Sequence, residues 1–220
     1  MKKPRNKGSL VGFLVVLCLM LTRVSLDSAE LPPAVAVLVQ GDVFIRQGDS
    51  LWQEIIVGRK LAYGDELWVT NESQLELVFP EGVSVLVQGK ARLEIPKEGE
   101  LPLEGQNNRA SLRVKVGRVW VHVLEKVVGV RSFSIETPTA VAGVRGTVFS
   151  LEVNHREDTI LDVHQGLVQL DDGRKSALVG AGCRSRVTKE GLTEGIEVPR
   201  YLMSMRMPLG GAPIRGEIIW

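Results

Sequence analysis

Cysteine and histidine are scarce in this 220-residue chain, which holds two of the first and three of the second. Cys183 alone stands outside the first 29 residues, so the body has no partner for an intrachain disulfide and must be held by its core. Cys183 has no evident histidine or helix N-terminus to activate it and is expected to be an inert, partly buried thiol. His122, His155 and His164 share no metal-ligand spacing; the first and last lie in strand-like stretches, and His155 sits in a polar turn. Gly-x-Ser-x-Gly, Walker and His-Glu-x-x-His motifs are all missing, which argues against catalysis and against a bound cofactor or metal. A basic excess is missing too. Without residues 1–29, which carry five Lys/Arg and one Asp, the chain keeps 22 basic and 25 acidic residues, a net charge of −3. That balance excludes an electrostatic nucleic-acid binder.

Long apolar runs are equally rare. Lys2, Lys3, Arg5 and Lys7 precede an apolar run from Leu10 to Leu21, which is short of the ~20 residues that span a bilayer and suits a signal-peptide core. Ala29 ends the candidate signal of residues 1–29, although Asp27 departs from the small-x-small pattern, so an uncleaved membrane anchor stays open. Leu17 before Cys18 is too large for a lipoprotein signal.

Glycine and valine are what the sequence has in quantity: 23 glycines, with valines throughout and aromatics at only 5%. From residue 35 the pattern is period-two alternation broken by tight turns at Gly41-Asp42, Gly48-Asp49-Ser50, Gly64-Asp65, Asn71-Glu72-Ser73 and Pro80-Glu81-Gly82. Val35, Val37 and Val39 are expected on one strand face. Strands resume at Leu112, Val114 and Val116, then at Val119, Val121 and Val123. Asp171-Asp172-Gly173-Arg174 has the chemistry of a hairpin turn, and Asp49, Asp65 and Asp158 are expected to serve turns rather than a metal. The expected fold is all-β, a single β-sandwich or β-roll-like domain of many short strands over residues 30–198. Residues 96–109 form a long polar loop, and a methionine-rich tail follows at 199–220.

An internal echo runs through this body. Val37-Leu38-Val39-Gln40-Gly41 recurs identically at 85–89, with looser copies at Val114-Lys115-Val116-Gly117 and Val163-His164-Gln165-Gly166. The uneven spacing excludes a strict solenoid and implies one strand–glycine–strand solution used repeatedly.

The stretch 137–149 stands apart. Pro138 biases Thr137 to an extended conformation, and Gly143 and Gly146 bracket Val144-Arg145 within a strand pattern. Glycines so placed usually mark a bulge, a corner or a close backbone approach. Arg145 either satisfies backbone carbonyls or a carboxylate such as Glu136, or projects toward an anionic group on a partner. No Lys-Ser/Thr follows the glycines, so this is not a phosphate loop.

With Leu61-Ala62-Tyr63-Gly64-Asp65-Glu66-Leu67, Val116-Gly117-Arg118-Val119-Trp120-Val121 and 133–149 in this order, the chain resembles the FecR domain of bacterial cell envelopes over about 35–188. The resemblance implies a non-catalytic sensing or binding module outside the cytoplasm, exported by the N-terminal signal and touching the membrane only if that segment is retained. Its expected partner is an envelope protein or a cell-wall glycan. The motif residues Thr137, Pro138, Gly143, Val144, Arg145, Gly146 and Thr147 are its candidate binding set. The founding members relay signals to a sigma factor through a cytoplasmic domain that this sequence does not show ahead of its apolar run. The alternative is therefore a signalling component that works through a separate membrane partner.

Overall fold

The computed structural model describes residues 32–97, 110–124, 133–144 and 146–197. The expected signal, Arg145, the tail from 199 and nearly all of the 96–109 loop lie outside them. Every regular element among the described residues is a strand, as the alternation predicts.

The strands are β1 (Ala34–Gln40), β2 (Val43–Gln47), β3 (Gln53–Glu54), β4 (Lys60–Leu61), β5 (Asp65–Val69), β6 (Gln74–Phe79), β7 (Val83–Gln88), β8 (Ala91–Glu94) and β9 (Ala110–Val123). They continue as β10 (Phe133–Glu136), β11 (Val141–Val144), β12 (Val148–Val153), β13 (Thr159–Gln165), β14 (Leu167–Asp171), β15 (Ser176–Gly180), β16 (Cys183–Thr188) and β17 (Gly191–Glu197). They form two layers. One runs β4–β1–β6–β7–β9–β12–β13–β16–β17, and the other runs β3–β2–β5–β8–β9–β10–β11–β14–β15. All pairings are antiparallel except β9 with β10.

β9 belongs to both layers. Residues 110–116 pair with β8 and β10 in the second sheet, and residues 117–123 pair with β7 and β12 in the first. Its inward side chains change parity between the halves: Leu112 and Val114 are buried in one, and Val119, Val121 and Val123 in the other. A bulge achieves this, since Arg92 faces Val116 while Leu93 faces Val114, which leaves Lys115 as the extra residue. Gly117 then turns the strand at φ 110°, a backbone conformation that other residues rarely adopt.

The inward residues of both sheets form one apolar cluster. Phe79 of β6 and Phe133 of β10 meet across it edge to face, with ring centroids 4.9 Å apart. β1 departs from expectation. Ala34 and Ala36 point inward, while Val37 is 43% exposed, because the pairing with β6 slips between Ala36 and Leu38. The bulge at Val37 reverses the alternation, so Val35, Val37 and Val39 do not share a face.

The sequence echo has a structural cause. Gly41, Gly89, Gly117 and Gly166 all have positive φ, and each stands where the chain passes from one sheet to the other. At the two identical copies the corners converge on Ser73, whose hydroxyl accepts from Asp42 N (2.8 Å) and whose carbonyl accepts from Gly89 N (2.9 Å).

Gly117→Ala is expected to be severely destabilising. Its Cβ would lie 2.5 Å from Ala91 Cβ and 2.7 Å from the Lys90 carbonyl oxygen. Positive φ and overpacking together cost about 3 kcal/mol. Chemical denaturation should show a loss of unfolding free energy of that size; a loss below about 1 kcal/mol would show that the corner relaxes freely.

Candidate functional site

The motif segment is a β10–β11 hairpin followed by a crossing into β12. At its tip the Thr137 hydroxyl accepts from Ala140 N (2.9 Å) and Thr139 N (3.3 Å), and lies 2.7 Å from the Thr159 hydroxyl. Thr139 joins the same buried Thr159 at 2.8 Å and donates to the Glu157 carbonyl (3.1 Å). This threonine cluster fastens the tip of one sheet to the start of β13 in the other. Pro138 is exposed beside it.

Four residues on, Gly143 lies in a regular ladder between Ser134 and Gln169. A Cβ there would meet nothing closer than the Gln169 carbonyl at 3.9 Å, so the expected bulge or close approach is absent at this glycine. Val144 packs into the core opposite Phe133 and Val168. The corner is at Gly146, with φ 60°. Thr147 is buried there, its carbonyl accepting from Val123 N at the end of β9 (2.9 Å). Gly166 packs over this crossing so tightly that a Cβ on it would stand 2.6 Å from the Gly146 carbonyl oxygen and 2.8 Å from Thr147 Cγ2. Arg145 lies outside the described residues. Glu136, the carboxylate expected to meet it, is bound by Arg113 through Nε (3.1 Å) and Nη2 (2.9 Å).

The structure therefore separates the motif residues. Thr137 and Pro138 sit at the hairpin tip, and Val144, Gly146 and Thr147 at its far end. A cavity of about 210 Å³ opens beside the tip, lined by residues including Pro138, Thr139, Asp172, Arg174 and Lys189. Its charged groups serve the fold. Asp172 accepts from the amides of Arg174, Lys175 and Leu192 (each 2.8 Å), and those bonds hold its carboxyl below the usual range. Arg174 donates to the Glu190 carbonyl (3.1 Å), and Lys189 pairs with Glu157 (2.8 Å).

His122 and His155 are exposed, the latter in the Asn154–Glu157 turn. His164 stacks on Trp120 with centroids 5.2 Å apart, and burial lowers its pKa. Among the described residues no group of three His, Cys, Asp or Glu side chains is placed to hold a metal ion.

The outer face of the second sheet carries a constellation that the sequence reading missed. Phe44, Trp68 and Arg92 are successive cross-strand neighbours on β2, β5 and β8. Trp52, from the β2–β3 connection, folds over them. Its ring lies 5.9 Å from Trp68, with the Arg46 guanidinium 4.6 Å and the Arg92 guanidinium 5.7 Å from its centroid. Arg92 is also 5.5 Å from Trp68, which in turn touches Phe44 at 5.5 Å. The available signal was period two: Phe44 and Arg46, Glu66 and Trp68, and Arg92 and Glu94 each occupy alternate positions that face away from the core.

Beside this platform runs a chain of alternating charges across five strands. Arg46 pairs with Glu66 (2.8 Å), Glu66 with Lys115 (3.3 Å), Lys115 with Glu94 (2.8 Å), Glu94 with Arg113 (2.9 Å) and Arg113 with Glu136 (2.9 Å). Partial burial alone would raise the pKa of Glu66, but Arg46 and Lys115 outweigh it and the net shift is downward. Burial would lower Lys115, and Glu94 and Glu66 reverse that to a net rise.

Residues 65–169, from the start of β5 into β14, match the family model described as FecR protein. No curated protein matches the chain. Two crystal structures, at 1.65 and 2.50 Å resolution, of a protein from Parabacteroides distasonis described as a "putative anti-sigma factor" are similar to it. Each is 17% identical with a TM-score of 0.47, over 57% of this chain and 56% of theirs. The chain thus spans little more than half the length of those proteins.

Gly143→Ala should change stability by less than about 0.5 kcal/mol, whereas Gly166→Ala should cost about 3 kcal/mol, because only the second glycine has positive φ and a backbone pressed against it. Equal effects in thermal melts would overturn this division of the glycines. Acid should weaken the fold through Asp172. A carboxyl whose pKa is lowered by folding contributes stability above its unfolded pKa of about 4 and loses it as pH falls through the folded value. Asp172→Asn is therefore expected to flatten the loss of stability below about pH 4, read as denaturation midpoints across pH; an unchanged acid slope would contradict it.

Proposed function

We propose that this FecR-domain chain works as a non-catalytic sensing and binding module in the bacterial cell envelope. Exported by its N-terminal segment, it engages an envelope protein and feeds a signalling route through a separate membrane partner. The observation that carries this reading is the FecR match over residues 65–169, which takes in the strand that joins the two sheets and both crossings packed at Gly166. The motif residues within that span are used to build the scaffold. The Thr137 hydroxyl and the Thr147 carbonyl bond to the protein itself, and none of the described motif residues converges with an acid, base or nucleophile on a cleft. The histidines are dispersed, and Cys183 is a partly buried strand residue. Recognition is then left to the outer faces of the sheets, where aromatic and charged side chains concentrate.

Deleting the gene is expected to alter a set of transcripts controlled by an extracytoplasmic sigma factor. The exported protein should restore them, and the same body kept in the cytoplasm should not. Unchanged transcripts on deletion, or full rescue by the cytoplasmic form, would overturn the reading.

A further inference from the structure

Arg92 differs from Arg46, Glu66, Glu94 and Lys115, the ion-paired charges beside it on its sheet face. Glu66 and Glu94, the carboxylates on its flanking outward positions, are taken by Arg46, Lys115 and Arg113. The Arg92 side chain makes no hydrogen bond or ion pair among the described residues; its contacts are the rings of Trp52 and Trp68. It is nevertheless exposed. A guanidinium stacked on indole rings loses rotamer freedom while its edge N–H groups stay available, which is the preorganised state that a carboxylate binds in bidentate fashion. Leu51, next to Trp52, is 85% exposed and adds an apolar projection to the rim. Tryptophan, arginine and a protruding aliphatic side chain around an unneutralised cation are the composition of a protein-binding hot spot.

We propose that the Trp52–Arg92–Trp68 platform binds an acidic peptide segment of a partner protein, one that places an Asp or Glu beside apolar side chains. This rests on the reading of the chain as a binding module and names the chemistry of its partner. A peptide is favoured over a glycan because the ring surfaces are already engaged. Arg46 and Arg92 lie against Trp52, and Phe44 and Trp52 pack on Trp68, which leaves guanidinium edges rather than open indole faces for recognition. Phe44, Arg46, Leu51 and Trp52 precede residue 65, so this part of the surface lies outside the FecR match.

The test uses the purified protein and a fluorescein-labelled peptide containing Glu-Leu-Asp-Phe-Glu, read by anisotropy, with Gln-Leu-Asn-Phe-Gln as the neutral control. The acidic peptide should bind and the control should not, with affinity falling as salt rises. Arg92→Ala should weaken binding about tenfold, the loss of one charge-assisted contact, and Arg92→Glu should abolish it. Both variants should stay folded with melting temperatures close to the parental one, since the Arg92 side chain is exposed and gives up only its contacts with the two indoles. Leu51→Asp, at an exposed position, should also weaken binding and gives a second reading independent of the arginine. Equal binding of acidic and neutral peptides, or unchanged binding by Arg92→Ala, would overturn the proposal. So would retention of the protein by sedimented peptidoglycan, lost in Arg92→Ala, with no peptide binding. An Arg92→Glu chain that restores normal transcripts to the deletion strain would remove this surface from the pathway while leaving the signalling reading intact.

Discussion

The passage of one strand through both sheets is the constraint on which the rest of this structure depends. β9 pairs with four strands, two in each layer, so its path fixes the register of both sheets and their mutual placement. The passage needs two local events in sequence. A bulge at Lys115 shifts the parity of the inward side chains, and a positive-φ glycine then turns the backbone over Ala91. Either event alone would fail. Without the bulge the second half of the strand would present Trp120 and His122 to the core in place of Val119 and Val121. Without the glycine a Cβ would occupy the space of the neighbouring strand. The same bulge that corrects parity also turns Lys115 outward between Glu66 and Glu94, so the corner and the charge chain share one residue.

The crossings elsewhere use the same physics with different partners. At Gly41 and Gly89 the corner is closed by Ser73, and at Gly166 by the backbone of the opposite crossing at Gly146 and Thr147. At Gly41 and Gly166 a Cβ would stand 2.5 and 2.6 Å from a neighbouring atom, whereas at Gly89 the nearest atom, the Asn71 carbonyl oxygen, is 3.3 Å away and positive φ is the stronger requirement. What the two copies of Val-Leu-Val-Gln-Gly share is the end of a strand followed by a glycine that turns left-handed beside Ser73; only the second copy keeps a regular alternation, since Val37 bulges outward in the first.

Much of this was legible in the sequence. Alternation gave the strands, and the echo falls on four of the crossings. The parity change across Gly117 was visible in the valine spacing itself. What alternation cannot show is whether a glycine turns or merely lacks a side chain. Gly143 and Gly146 look alike in sequence, and only the second has positive φ. Nor can it show a bulge made by an ordinary residue. Val37 is as apolar as its neighbours, and its exposure follows from a slip against β6 that no local signal announces. The aromatic platform was hidden for a third reason. Phe44, Trp52, Trp68 and Arg92 come from separated segments, and outward positions carry no periodic signature of being adjacent. Only cross-strand register brings them together.

The two sides of the second sheet divide the work between them. Its inner face is apolar and continuous with the single core, so changes there are resisted by packing. Its outer face is polar and aromatic, yet it is not free to rearrange, because the charge chain ties β2, β5, β8, β9 and β10 to one another through side chains as well as through the ladder. Individual exposed ion pairs contribute little, but a connected set spanning five strands holds each member's geometry by its neighbours. One consequence bears on recognition. By consuming Glu66 and Glu94 internally, the chain of ion pairs withholds from Arg92 the carboxylates that would otherwise neutralise it, while the indoles on either side hold its guanidinium in place. The network that fixes the register of the sheet therefore also leaves Arg92 as an oriented cation on its surface.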